Sequence, residues 1–339
     1  MKTRFAFIGF QHPHIWDLVA RAAAHPDITI VAMCEEDAAT REKLAGDKRV
    51  NLTHADYRRM LAEVACDAVV VGDWFAKRGR IVIDCLNAGR NVLADKPMCT
   101  TLAEYDEIVR LTAARKLTVG LMLDMRDSAV FGQVRTLVRA GTIGEIRAAA
   151  LGGQHPLLAG KRAGWYHEAG KHGGTIGDIA VHGFDLIPWV TGLELRRVNA
   201  ARVWAAGVPA GSHFVNAGQC LLELANGAGF MCDVSYFSPD SQGYTLPMYW
   251  RLTLWGSRGV LETSLTAKEI TLCLDGEPAP RTVPLGAPNP GGYLTAFLDE
   301  MHGRPSSGLT MAEAFRASRA ALIAQQAADE GLRDVDLSS

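Results

Sequence analysis

The sequence predicts a two-domain α/β protein. A parallel, doubly wound sheet comes first, and an α/β domain on a large, mostly antiparallel open sheet follows. Three observations carry this reading. A chain of 339 residues is too long for one ordinary core. Its first third alternates short apolar runs with helical patterns, the signature of βαβ units. From Arg147 onward the rhythm changes to long alternating runs separated by turn signals. The boundary is expected near residue 124, giving domains 1–123 and 124–339.

In the first domain, strands are expected at Phe5–Gly9, Ile28–Cys34, Ala68–Gly72, Asn91–Ala94 and Leu117–Leu123. Each is a short apolar run of the kind buried on both faces of a parallel sheet. Between them, Ile15–Ala24, Asp37–Leu44, Tyr57–Val64, Arg80–Ala88 and Leu102–Arg115 read as helices. In the second domain, strands are expected at Val198–Trp204, Phe214–Glu223, Gly229–Tyr236, Tyr249–Trp255, Gly259–Glu262 and Glu269–Leu274. Asn226-Gly227 and Asp275-Gly276 mark hairpin turns. Helices near Gly292–Met301 and Thr310–Ala328 close the chain.

Composition excludes several classes. Hydrophobic residues make up 48% and charged residues 21%, as in globular proteins. A net charge of −2 leaves no electrostatic footprint for nucleic acid or an anionic membrane. No apolar run reaches the ~18 residues of a membrane span. Met1-Lys2-Thr3-Arg4 enters a strand pattern at once, so no secretory leader is expected. Seven scattered cysteines (Cys34, Cys66, Cys85, Cys99, Cys220, Cys232, Cys273) include no Cys-x-x-Cys. They read as reduced, mostly buried side chains of a cytoplasmic protein.

The most informative segment is Gly173-Gly174-Thr175-Ile176-Gly177-Asp178-Ile179-Ala180-Val181-His182-Gly183-Phe184-Asp185. It reads as a glycine-rich turn opening a helix. At about 100° per residue, Asp178, His182 and Asp185 fall within roughly 60° of one another. Apolar residues fill most of the remaining circumference, so the helix is expected to be buried. A carboxylate beside an imidazole is general acid/base equipment. The same stripe also suits a structural Asp–His pair satisfied by backbone.

A dinucleotide fold calls for a strand, Gly-x-Gly-x-x-Gly, a helix and then an acidic residue about twenty positions on. The turn here is Gly9-Phe10-Gln11-His12-Pro13-His14, with only the first glycine present. A strand precedes it and a helix follows, so a helix N-terminus is offered to a phosphate. Gln11, His12 and His14 can add side-chain donors. A metal site from His12 and His14 has no third ligand nearby in sequence, and none is expected. At the end of the second strand, Glu35 is placed to accept the ribose hydroxyls of NAD and to repel the 2′-phosphate of NADP. Its alternative is a solvated loop charge.

Asp95-Lys96-Pro97 follows the strand Asn91–Ala94. With the Gly173–Asp185 segment and the phrase Gly141-Thr142-Ile143-Gly144-Glu145-Ile146, it resembles the Gfo/Idh/MocA family of NAD(P)-dependent oxidoreductases. That family shows Glu-Lys-Pro at this place, then Gly-Gly-Gly and Asp-x-x-x-His-x-x-Asp. The resemblance covers essentially the whole chain. It implies a Rossmann domain followed by a substrate-binding and oligomerisation domain. It also implies hydride transfer at a hydroxyl or carbonyl carbon of a sugar, inositol or related polyol. By position, Lys96 corresponds to the family's catalytic lysine, and Asp178 and His182 to its substrate-binding aspartate and its general acid/base. A homodimer or homotetramer through the C-terminal sheet is implied as well.

That chemistry is self-consistent. His182 can take the hydroxyl proton, and an ammonium at Lys96 can stabilise the developing alkoxide. Asp178 can hold a second hydroxyl or orient the imidazole. Pro97 holds Lys96 extended, and the bond between them is a candidate for cis. The chain also departs from the family. The glycine loop is degraded and Asp95 replaces Glu. Gly72-Asp73-Trp74-Phe75-Ala76-Lys77-Arg78-Gly79 replaces Thr-Pro-x-x-x-His. Asp73 and Trp74 are placed with the cofactor-binding residues; Trp74 can stack beside a nicotinamide or cover a core edge. Asp124, Arg126, His155 and Trp165 are placed with the substrate-binding residues, and an acidic substrate could use Arg126 and Lys171 instead. Two other readings stay open. One is a nucleotide- or sugar-sensing regulatory protein without turnover, and the other a lyase or glycosidase using NAD transiently.

Overall fold

A computed structural model describes residues 2–306 and 308–337. The chain divides into two compact units. One comprises the chain up to Met122 with Gly170–Gly173 and Tyr293–Phe315; the other comprises Leu123–Ala169, Gly174–Gly292 and the chain from Arg316 onward.

The first unit runs β1 (Thr3–Ile8), α1 (Ile15–Ala24), β2 (Ile28–Cys34), α2 (Ala38–Leu44), α3 (Tyr57–Glu63), β3 (Ala68–Val71), α4 (Phe75–Asn87), β4 (Asn91–Ala94), α5 (Leu102–Arg115) and β5 (Val119–Leu121). Its five strands are all parallel, in the order β2-β1-β3-β4-β5. The order reverses between β1 and β3, where open α/β sheets bind ligands beyond the strand ends. Every residue of β3, Ala68-Val69-Val70-Val71, is buried, as a central parallel strand requires. Side-chain caps start three helices: Asp37 accepts from Thr40 N–H, Asp56 from Arg58 and Arg59 N–H, and Thr101 from Glu104 N–H. Two expectations shift. The helix expected at Arg80–Ala88 begins at Phe75, and the strand expected over Leu117–Leu123 shortens to Val119–Leu121.

The second unit opens with a 3₁₀ turn, Asp124–Asp127, and α6 (Ala129–Arg139). The strand β6 (Ile146–Pro156) follows. One π turn, Ile176–Ala180, then leads into α7 (Val181–Thr191). Next come β7 (Leu195–Trp204), β8 (Ala217–Leu224), β9 (Gly229–Ser238), β10 (Arg251–Gly256), β11 (Gly259–Thr263), β12 (Glu269–Leu274) and β13 (Arg281–Pro284). The chain closes with α8 (Gly292–Met301), α9 (Met311–Glu330) and β14 (Arg333–Asp336). The nine strands β6 to β14 form one sheet in the order β13-β12-β11-β10-β6-β9-β8-β7-β14. Among the described residues of this sheet, only β6 and β9 pair in parallel. The strand β6 was not expected, because Ala148-Ala149-Ala150-Leu151-Gly152-Gly153 carries little alternation. The short polar strands β13 and β14 escaped for the same reason.

One face of this sheet packs α7, with Phe184 against Phe230 of β9. Leu221, Met231, Phe237 and Trp255 are exposed, with Leu221 and Met231 directly paired across β8 and β9. No described helix is long and apolar enough to cross a membrane. All seven cysteines are free and six are buried, Cys273 being the exposed one.

The helix α8 belongs to the core of the first unit. Its Tyr293, Leu294, Phe297 and Leu298 join Phe5, Phe7, Val70 and Leu93 in one cluster. Phe297 meets Phe5 edge-on at 6.2 Å. Phe297→Ala is therefore expected to lower stability by about 3–5 kcal/mol through the cavity it leaves. Urea unfolding checks this, and a loss below ~1 kcal/mol would contradict the packing described.

Candidate active site

In the first unit, a buried ion pair organises the strand ends. Arg78 in α4 and Asp95 after β4 are both fully buried, with Nη2 2.7 Å from Oδ2. The same guanidinium donates from Nε to the Asp73 carbonyl at 2.7 Å and from Nη1 to the Lys96 carbonyl at 2.5 Å. It thereby ties the end of β3 to the Lys96-Pro97 peptide, which is cis. Asp95 also receives both loop imidazoles, with His12 Nδ1 2.6 Å from Oδ2 and His14 Nδ1 3.0 Å from Oδ1. Burial alone would raise the Asp95 carboxyl; Arg78, then His12 and His14, outweigh it and hold the group well below its ordinary value. Burial pushes His12 down to about 3 against the pull of Asp95, so the ring is neutral and its Nδ1–H donates.

Asp95 is thus the third group that the local sequence around His12 and His14 lacked. The candidate ligand atoms of the three lie within 4.8 Å of one another. Arg78 pairs with the same carboxylate. Lys96, next in the chain, is buried at 3% exposure.

The loop residues divide. Gly9 has φ +81°, and a Cβ there would lie 2.6 Å from Asp73 N, so only glycine lets β1 and β3 end this close together. Gly9 is thus the tight-turn glycine that leads β1 toward the N-terminus of α1, where a dinucleotide's phosphates could be met by free N–H groups. Gln11 instead donates to Thr40 Oγ1 at 2.9 Å. Glu35 is 1% exposed, and its carboxylate accepts from Phe10 N–H at 2.7 Å and Asp37 N–H at 2.8 Å, which braces the loop. Burial raises its pKa against those two donors. Asp73 is likewise buried and holds Lys77 Nζ at 2.7 Å; Lys77 also reaches Glu36 at 2.9 Å. The Trp74 ring lies 4.6 Å from the ammonium groups of both Lys77 and Lys171. Lys171 is therefore placed with this cluster.

In the second unit, Gly174 carries φ +110° where the glycine-rich turn enters the helix. A Cβ there would strike Gln325, whose Oε1 accepts from Ile176 N–H at 3.0 Å. The helix is buried as expected, and Asp178, His182 and Asp185 are 1%, 5% and 3% exposed. The three have different partners. Asp178 accepts a short hydrogen bond from the Tyr236 hydroxyl of β9. Asp185 holds Arg126 through two bonds, Nε at 2.8 Å and Nη2 at 2.5 Å. Two of the Arg126 donors, Nε and Nη2, are thus taken by Asp185. His182 lies against Trp250 at 5.3 Å.

An aromatic wall continues from there. His155 contacts Trp250, Tyr249, Tyr244 and Tyr236, with Nε2 3.3 Å from the Tyr249 hydroxyl. Trp165 is 4% exposed and stacks on Tyr166 at 4.1 Å, so it backs the wall instead of lining a surface. Asp124 is exposed at the start of the 3₁₀ turn. Tyr236 and Arg162 were missed. Neither carries a local motif, and Tyr236 lies far along the chain from the Asp178 it binds.

Comparison with known proteins agrees with this architecture. Residues 3–123 match the model of an oxidoreductase family with an NAD-binding Rossmann fold, and residues 131–262 match the GFO/IDH/MocA C-terminal domain. Inositol 2-dehydrogenase 1 of Saccharopolyspora erythraea is 28% identical over 229 residues, 67% of this chain and 62% of that protein. The match thus spans less than two thirds of that relative. A putative oxidoreductase of Thermotoga maritima superposes with a TM-score of 0.84 at 21% identity, covering 98% of this chain and 99% of that one. An Agrobacterium radiobacter oxidoreductase in complex with NAD+, L-tartaric acid and magnesium gives 0.79 at 18% identity, covering 99% of each. At these identities the solved structures show the fold.

The His12 environment has a pH consequence. The folded state keeps this ring neutral down to about 3, whereas the unfolded ring binds its proton near 6.5. Between those values the unfolded chain holds more protons, so stability falls as pH falls through the window. His12→Asn keeps a donor toward Asp95 but cannot titrate. Urea midpoints at pH 7 and pH 4.5 should drop less in the variant than in the parent, and equal drops would refute the assignment.

Proposed function

This chain belongs to the GFO/IDH/MocA family of oxidoreductases, and we propose that it is an NAD-dependent dehydrogenase or reductase acting on a sugar, inositol or related polyol. The observation that carries the reading is Lys96, a buried lysine at the carboxyl end of β4 in an NAD-binding Rossmann unit. Such a position is where open α/β sheets place their chemistry. The inositol dehydrogenase relative supports the substrate class.

Gly9 and the first turn of α1 would hold the dinucleotide, which when bound supplies the hydride acceptor or donor. The residues of the chain do the rest. The Lys96 ammonium donates to the reacting oxygen and stabilises alkoxide charge. His182 takes the hydroxyl proton in oxidation and returns it in reduction. Asp178, fixed by Tyr236, accepts from a neighbouring hydroxyl and orients the carbon skeleton. Arg78 holds the Lys96 carbonyl and so sets where that side chain starts. The degraded glycine loop favours a second reading, a nucleotide- or sugar-sensing protein, which would bind nucleotide without hydride transfer.

The test is NADH absorbance during incubation with a panel of sugars, inositols and polyols, alongside calorimetric titration with NADH and NADPH. Tighter binding of NADH is expected. Lys96→Met and His182→Gln should each lower kcat/KM by about 10²–10⁴-fold. Unchanged turnover in both variants would remove the assigned roles, and nucleotide binding without any hydride transfer would favour the sensor.

We also infer that two copies associate through the exposed sheet face bearing Leu221, Met231, Phe237 and Trp255. Exposed large apolar side chains grouped on one sheet face are a candidate interaction surface. Size-exclusion chromatography with light scattering should show a mass above 36.6 kDa that falls to it in Met231→Glu/Leu221→Lys. A parent protein running as a monomer would refute this.

A further inference from the structure

Arg162 is a cation with no carboxylate partner among the described residues. The two well-buried arginines Arg78 and Arg126 each have their own buried carboxylate. Arg162 has carbonyls and ring faces instead. Its Nε donates to the Leu157 carbonyl at 2.9 Å and its Nη2 to the Pro156 carbonyl at 2.7 Å. Its flat faces lie 4.8 Å from the Tyr166 ring and 4.5 Å from the Tyr236 ring. Asp240, whose charge it feels, turns both oxygens to the N–H groups of Leu158 and Ala159.

The arrangement selects the shape of a ligand. One edge of the guanidinium, Nε with Nη2, is filled by the two carbonyls. The faces are covered by tyrosines. The remaining donors are Nη1 and the second N–H of Nη2, on the edge away from the carbonyls, and the Tyr244 hydroxyl hydrogen-bonds to the same guanidinium. Two parallel N–H donors match the two oxygens of a carboxylate. A partly buried cation gains most from such a partner, because solvent screens it little. The location ties this edge to the substrate. Tyr236 carries Arg162 on its face and donates its hydroxyl to Asp178, so the cation stands one tyrosine ring from that carboxylate.

We propose that Arg162 is a carboxylate-binding subsite, and that the substrate is a polyhydroxy acid such as a sugar acid instead of the neutral polyol. The inference rests on the reading of Asp178 as a substrate-binding residue. Asp178 would accept from hydroxyls, and Arg162 would take the acid end of the same chain of carbons. Arg126, considered from the sequence for an acidic substrate, already has a carboxylate partner in Asp185, whereas Arg162 has none among the described residues.

The test compares matched acid and neutral probes by calorimetric titration of the purified protein, with and without NADH. The pairs are D-gluconate against D-glucitol and L-tartrate against L-threitol. At least one acid should bind about 10-fold or more tighter than its neutral partner. Arg162→Met should abolish that ratio, and Arg162→Lys, which keeps the charge without the fork, should retain a reduced ratio and guards against a folding defect in the first variant. No acid preference in the parent would overturn the proposal. So would equal losses for acid and neutral probes, which would make Arg162 only a loop brace. The readout is binding, so it separates from the oxidoreductase reading. An Arg162-dependent acid preference without hydride transfer supports the subsite and removes the enzyme. Hydride transfer to the acid and neutral members of a pair with equal kcat/KM, both unchanged in Arg162→Met, keeps the enzyme and overturns the subsite.

Discussion

The ion pair between Arg78 and Asp95 is the contact on which the functional end of the first unit depends. Two opposite charges are removed from water together, and each would be costly alone. Around them, one guanidinium holds the carbonyls of Asp73 and Lys96, and one carboxylate holds the rings of His12 and His14. Four chain segments are thereby fixed by a single charge pair: the loop after β1, the end of β3, the start of α4 and the turn after β4. A glycine-rich loop shapes itself by backbone freedom. This loop, with one glycine left, takes its shape from side chains anchored beneath it.

The second unit follows the same logic with different partners. The π turn and α7 are buried nearly all round, so each polar group on them must be satisfied from elsewhere in the fold. Tyr236 comes from β9 to meet Asp178, and Arg126 comes from the opening turn to meet Asp185. A π turn within a helix is uncommon and frequent at functional sites. Here it covers Asp178 itself, the residue whose placement the proposed chemistry uses most.

Much of this was legible in the sequence. Apolar runs of four to seven residues marked the parallel strands, because burial on both faces forbids polar positions. The spacing of Asp178, His182 and Asp185 marked a buried helix, because only three- and four-residue steps return to one face. What the sequence hid has a common physical cause. Asp95 with His12, Tyr236 with Asp178 and Arg126 with Asp185 are contacts between residues far apart in the chain, and no local pattern encodes a distant partner. Glu35 shows the converse: its place at the end of β2 was legible, and its two backbone N–H partners were not. The strand β6 was hidden differently, since small residues satisfy a tightly packed central position without the alternation that announces a strand.

The outer strands of the nine-stranded sheet bear on how the molecule keeps company in a crowded solution. Each outer strand, β13 and β14, is four residues long; one reads Arg281-Thr282-Val283-Pro284 and the other Arg333-Asp334-Val335-Asp336. A proline lacks the N–H that a newcomer strand would need, and flanking charges resist stacking in register. Growth of the sheet by addition of foreign strands, the route to fibres, is therefore discouraged at both ends. If two copies pair face to face about a twofold axis, as proposed above, the exposed apolar side chains would be covered in one closed step, with no strand edge left to recruit more.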